Sequence, residues 1–157
     1  MRTLIEHIQR EIEEYKLLID VLHIETEALK KRDFKHILDI VAQKEAVLSR
    51  IEKMGRMRRN LIKSVAERYS QPSTISALLN LETPERDELF SSVNMLRTLI
   101  ESSIEINRVN RLTAKASIEN IQKMLHVIKN FMPHTTYNST GMKEEIEIRG
   151  TQLREGA

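Results

Sequence analysis

From residue 84 to residue 131 the chain carries one apolar repeat that steps by three and four. Leu89, Val93, Leu96, Ile100, Ser103, Asn107, Asn110, Ala114, Ser117, Ile121, Met124, Ile128 and Phe131 fall on it. Such steps line up along one side of an α-helix and do not fit the two-residue alternation of a strand. Thr83-Pro84-Glu85 reads as the start, with a cap, a proline in the first turn and an acid near the positive dipole end. Pro133 is the stop. A helix of that extent is roughly 70 Å long. The middle of its seam is small and polar, while Ile104, Ile106, Val109 and Leu112 form a displaced apolar set. The stripe is therefore expected to rotate to another face there, or the helix to be deformed. Asn107 and Asn110 serve either to fix register or to make polar contacts with a partner.

Two helices precede it. The first, over about 3–32, opens on the capping-box pattern Thr3-Leu4-Ile5-Glu6. Its seam is Ile5, Ile8, Ile12, Tyr15, Ile19, Leu22 and Leu29, interrupted at Thr26 and widened by Leu4, Leu18 and Ala28. Asp33 is placed to cap the second, over about 34–70. Its seam is Ile37, Ile40, Lys44, Val47, Ile51, Met54, Arg58, Leu61 and Val65, with Lys44 and Arg58 expected to extend their charged heads to water. Gly55 marks a bend, a close contact, or simple tolerance of a poor helix former. So short a link predicts an antiparallel hairpin. Pro72 breaks the pattern, and 74–80 is a short helical segment expected to cover the hairpin's end.

The fold class is thus all-α: an elongated antiparallel hairpin extended to a coiled-coil-like bundle of three long helices over 1–133, with a polar tail over 134–157. A first helix of about 45 Å cannot cover a third of about 70 Å. Part of helix three must bend, pair with another chain, or leave apolar side chains uncovered. The tail has the composition of a flexible segment, although Glu145-Ile146-Glu147-Ile148-Arg149 alternates as a strand would.

Composition sharpens the exclusions. The formal net charge is +2, so no strong field draws the chain to nucleic acid or anionic lipid. The run Lys53, Arg56, Arg58, Arg59, Lys63 and Arg68 lacks the aromatics that stack bases and reads as a solvated helix face, with contact to an acidic partner as the alternative. There is no cysteine for a disulfide or thiolate metal site. No signal-peptide core opens the chain, and no apolar run reaches the ~20 residues of a membrane span. A cytoplasmic protein without membrane insertion is expected. None of His7, His23, His36, His126 and His134 follows a glutamate by three residues, and no phosphate loop or nucleophile elbow is present. The sequence argues against an enzyme and calls for no metal or cofactor. Met124, Met132 and Met142 are either filler or an adaptable contact surface. A binding module fits best; a self-associating coiled coil without a client, a homo-oligomer, is the alternative.

Several segments, in order and spacing, resemble one family over residues 1–142. They are Glu25-Thr26-Glu27-Ala28-Leu29, then Asp33-Phe34 at the turn, then Gln43-Lys44-Glu45-Ala46-Val47-Leu48. Asn107-Arg108-Val109-Asn110-Arg111-Leu112 follows, then the amphipathic run to Met132, then Tyr137-Asn138-Ser139-Thr140-Gly141. The chain is similar to the flagellar export chaperones of the FlgN type. The resemblance implies a cytoplasmic type III export chaperone that binds the C-terminal helical ends of the hook-filament junction proteins, hook-associated proteins one and three. It would prevent their premature assembly and deliver them to the export gate. Carried over by position, client contacts would be Ile118, Ile121, Met124, Leu125, Ile128 and Phe131, and gate docking would fall to Tyr137. Arg32 departs from the pattern, standing where a glycine often precedes the turn aspartate. The tail after Gly141 varies in the family, so residues 144–157 take no role from it.

Overall fold

The computed structural model describes residues 1–131, 135–137 and 143–145. They form helices α1 (Arg2–Lys31), α2 (Phe34–Arg68), α3 (Ile75–Leu79) and α4 (Arg86–Phe131), then strands β1 (Thr135–Tyr137) and β2 (Lys143–Glu145). The class is all-α, as the three-four repeat requires. Two compact units divide the chain at a point inside α4: Met1–Ala114 and Lys115–Ala157.

Within Met1–Ala114, α1 and α2 form an antiparallel hairpin, because Glu25 meets Lys44 and Glu11 meets Arg58. The first half of α4 runs parallel to α1: Arg2 bonds Glu88 near one end, and Asn110 bonds the Leu22 carbonyl near the other. Apolar seams hold the three together. One cluster joins Leu4, Ile5 and Ile8 of α1 to Val65 and Ala66 of α2 and to Leu89 and Leu96 of α4. A second joins Leu18, Val21 and Leu22 to Ile40, Val47 and Ile51. Thr74 caps α3, its hydroxyl accepting from the Ala77 amide at 3.2 Å, and Leu78 of that short helix is fully buried in the first cluster.

Local expectations meet mixed outcomes. Thr3 lies inside α1, which starts at Arg2 with no side-chain cap; Glu6 pairs with Arg2 instead. The carbonyl of Met1 takes the Leu4 and Ile5 amides, so the first turn closes one residue early. Asp33 does hold the N-cap position of α2, as expected, but without a side-chain cap hydrogen bond; its carboxylate accepts from His36 Nδ1 at 2.7 Å. α4 begins at Arg86, after a turn in which the Thr83 carbonyl accepts the Arg86 amide. The polar middle of α4 is only partly displaced. Ser103 and Asn110 stay buried, and of the displaced set Ile106 is half-buried against the second cluster in place of the exposed Asn107, while Ile104, Val109 and Leu112 are exposed. An added Cβ at Gly55 would meet Arg59 Nη1 and Glu11 Oε1 at 3.9 Å, an ordinary contact, so space does not demand glycine there.

The turn between α1 and α2 explains the Arg32 departure. Arg32 sits in the left-handed region at φ 55 and ψ 36, with its amide bonded to the Leu29 carbonyl at 3.2 Å. Glycine adopts that conformation without the Cβ penalty. Arg32→Gly is expected to stabilise the fold by about 0.5–1 kcal/mol, read from the urea midpoint. A lower midpoint would show that the arginine side chain itself holds the turn.

Candidate functional site

The buried positions of α4 run from Leu89 to Asn110, with none beyond among the described residues. From residue 118 to residue 130 every side chain is exposed. Five of them are large and apolar and recur by three and four: Ile118, Ile121, Met124, Leu125 and Ile128. At 100° per residue they share one stripe. Their exposures run from 43% at Ile121 to 64% at Met124, far above those of the core. Val127 is also exposed, to one side of the stripe. The flanks are polar, with Lys115, Lys123 and Lys129 against the lone acid Glu119, which lies 4.0 Å from Lys115. This is the arrangement that helix-in-groove recognition uses: apolar anchors along one side, solvated charges beside them.

Two other expected site residues lie further along. Phe131 ends α4, and its side chain is outside the described residues. Tyr137 is the last residue of β1, where its backbone pairs in register with Lys143 in an antiparallel ribbon. Of the alternating run 145–149, Glu145 closes β2 and the rest lies outside the described residues.

The two asparagines of the seam part company. Asn107 is exposed. Asn110 is 2% exposed, and its amide donates to the Leu22 carbonyl at 2.9 Å and to Glu25 Oε2 at 3.0 Å. Its Oδ1 lies 2.7 Å from the Thr26 hydroxyl, which also reaches the Leu22 carbonyl; the single hydroxyl hydrogen serves one at a time. Glu25 is bound on its other oxygen by Lys44 of α2. One chain of polar groups therefore ties α2 to α1 and α1 to α4.

A second buried charge lies nearer the other end of the hairpin. Glu11 is 1% exposed, with Oε2 at 2.8 Å from Arg58 Nη1, although that oxygen completes no hydrogen bond. Burial pushes its carboxyl above the usual range, and Arg58, His7 and Arg59 only partly offset this. A carboxyl raised in the fold adds most stability in its protonated form, and that contribution is lost as pH rises through the raised value. His7 Nε2 bonds the Met54 carbonyl at 2.8 Å. Lys44 and Arg58 thus do not extend to water as their seam positions suggest. Buried glutamates opposite hold them, because an unpaired buried carboxylate would cost more than two ordered cations. Glu11, Glu25 and His7 escape a search for apolar positions. The signal that finds them is electrostatic: Glu11 and Glu25 are two heptads apart on α1, and Arg58 and Lys44 are two heptads apart on α2.

Among the described residues no group of three His, Cys, Asp or Glu could hold a metal ion, and no helix is long and apolar enough to cross a membrane. A family model described as FlgN protein matches residues 1–145. No curated protein and no solved structure matches the chain significantly.

Proposed function

Because this chain belongs to the FlgN family of flagellar export chaperones, we propose that it escorts the hook-filament junction proteins and that its client seat is the exposed stripe on α4. The observation that carries this reading is the run of five half-bare aliphatic and thioether side chains between Ile118 and Ile128. A client whose C-terminal end is an amphipathic helix exposes a similar stripe until it assembles. Laying one stripe on the other hides both from water, at about 25 cal/mol for each Å² removed, before the cost of ordering two segments. The client is then kept from premature assembly by occupation of the surface that would polymerise. Release needs no chemistry, only a competitor for that surface. Met124 adds a flexible thioether that repacks against clients of different shape.

Co-purification of the full chain with flagellar proteins of its own cell tests the reading. Recovery of hook-associated proteins one and three is the expected result. A chain that recovers only itself, with a mass that doubles with concentration in light scattering, would favour the self-associating coiled coil.

Delivery requires a second contact, with the cytoplasmic part of the export gate, and we assign it to Tyr137. A phenol offers a large apolar ring with a polar tip, which suits a small docking pocket. Tyr137→Ala is expected to leave client affinity unchanged in calorimetry while weakening gate capture in a pull-down. Undiminished gate capture would remove that role from Tyr137.

A further inference from the structure

The Met1–Ala114 unit carries a groove to which neither the stripe at residues 118–128 nor Tyr137 belongs. Two depressions, of about 350 and about 200 Å³, adjoin at Ile100, which lines both. Both lie between α2 and α4 over a floor from α1. In the larger, Ile8 and Leu96 are buried, while Ile62, Val93 and Ile100 are half-buried. The smaller continues past Leu48 of α2 and Ile104 of α4, both exposed.

Charge around the groove has one sign. Arg58, Arg59 and Arg97 line the larger depression and Lys44 the smaller, and no carboxylate lines either. Glu11 and Glu25 hold Arg58 and Lys44. Arg59 and Arg97 are exposed, and neither makes an ion pair among the described residues. An occupant must therefore bring apolar side chains for the floor and carboxylates for the rim. Lys44 and Arg58 stand two heptads apart, about 21 Å along α2. A helix of two heptads spans that distance.

We propose that this groove binds a short acidic amphipathic helix of a partner protein, with its apolar side on Ile62, Leu96 and Ile100 and its carboxylates on Arg59 and Arg97. Both arginines present their charge at an apolar edge, where bidentate pairing with a carboxylate gains strength from exclusion of water. The surface is separate in sequence from the stripe at residues 118–128 and from Tyr137, and so it gives the chaperone a further, electrostatically selective contact.

Fluorescence anisotropy on the full chain tests this with two labelled helical peptides of about two heptads. Both have a leucine seam; one has glutamate flanks, the other lysine flanks. The acidic peptide is expected to bind, more weakly as salt rises, and the basic one not to bind. Arg59→Glu with Arg97→Glu, both on exposed side chains, is expected to lower acidic-peptide affinity roughly tenfold or more and to admit the basic peptide. Ile121→Asp with Ile128→Asp is expected to leave acidic-peptide affinity unchanged, which separates this surface from the client stripe. Equal binding of the two peptides, no binding of the acidic one, or indifference to the charge reversal would overturn the proposal. So would a concentration-dependent dimer that the charge reversal abolishes, since the occupant would then be a second copy of this chain.

Discussion

Ile121→Asp combined with Ile128→Asp is expected to weaken client binding more than a hundredfold while leaving the helices intact. The two side chains are 43% and 48% exposed, so replacing them removes little from the fold. Surface substitutions of that kind usually stay within about 0.5 kcal/mol. In the bound state the balance is different. Each isoleucine contributes about 1.5 kcal/mol or more on burial, and each aspartate would have to be dehydrated against an apolar client face. Two such losses exceed about 3 kcal/mol, and each 1.4 kcal/mol is a factor of ten. Titration calorimetry against a purified junction protein reads the affinity, and far-ultraviolet circular dichroism reads the helices. Unchanged affinity with intact helices would move the client seat off this stripe and leave the assignment of Ile118, Met124 and Leu125 without support.

That stripe was legible in the sequence because it rests on length and periodicity. α4 has 46 residues against 30 in α1, and no arrangement of α1 can pair with all of it. The apolar seams were legible for the same reason: Ile5, Ile8, Ile12, Leu22 and Leu29 are all buried. What the hydrophobic pattern could not report is the identity of the polar groups that cross the bundle. A seam search passes over Glu11 and Glu25, since burial of a carboxylate is favourable only when a cation stands opposite, and that partner lies on another helix. The matching two-heptad spacings of Glu11 with Glu25 and of Arg58 with Lys44 encode it. A pattern of charges reflected across the Asp33 turn is long-range information, invisible in any one helix. The polar middle of α4 misled for the same reason. Asn110 and Ser103 look like a defect in the stripe, so the displaced Ile104, Ile106, Val109 and Leu112 are expected to take over; only Ile106 packs on the core, because the asparagine has a partner waiting on α1. The capping box was misread because Thr3 lies inside a helix that opens at Arg2, and a pattern of residue types does not fix where the first turn closes.

Asn110→Asp is expected to be the most damaging single change in the Met1–Ala114 unit. Asn110 Nδ2 lies 3.0 Å from Glu25 Oε2 and 2.9 Å from the Leu22 carbonyl, and it is the donor in both bonds. An aspartate there has no hydrogen to give when ionised. It would set a second carboxylate against Glu25, with Lys44 the one cation tied to that glutamate. Leaving a buried charge uncompensated costs about 3–5 kcal/mol, a large part of the stability of a domain this size. Asn110→Ala removes the same two bonds, and the acceptor for the Thr26 hydroxyl, without adding charge, so its cost should be smaller, about 1–3 kcal/mol. Like-charge repulsion raises the carboxyl pKa values in the fold, and protonation relieves it. Stability of Asn110→Asp should therefore recover as pH falls through the carboxylate range, whereas Asn110→Ala should show no such recovery beyond that of the parent chain. Urea titrations at neutral and mildly acidic pH measure all three proteins. If Asn110→Asp and Asn110→Ala lost the same stability at both pH values, Glu25 would not be charged beside Asn110, and the polar tie from α2 through α1 to α4 would carry no electrostatic weight.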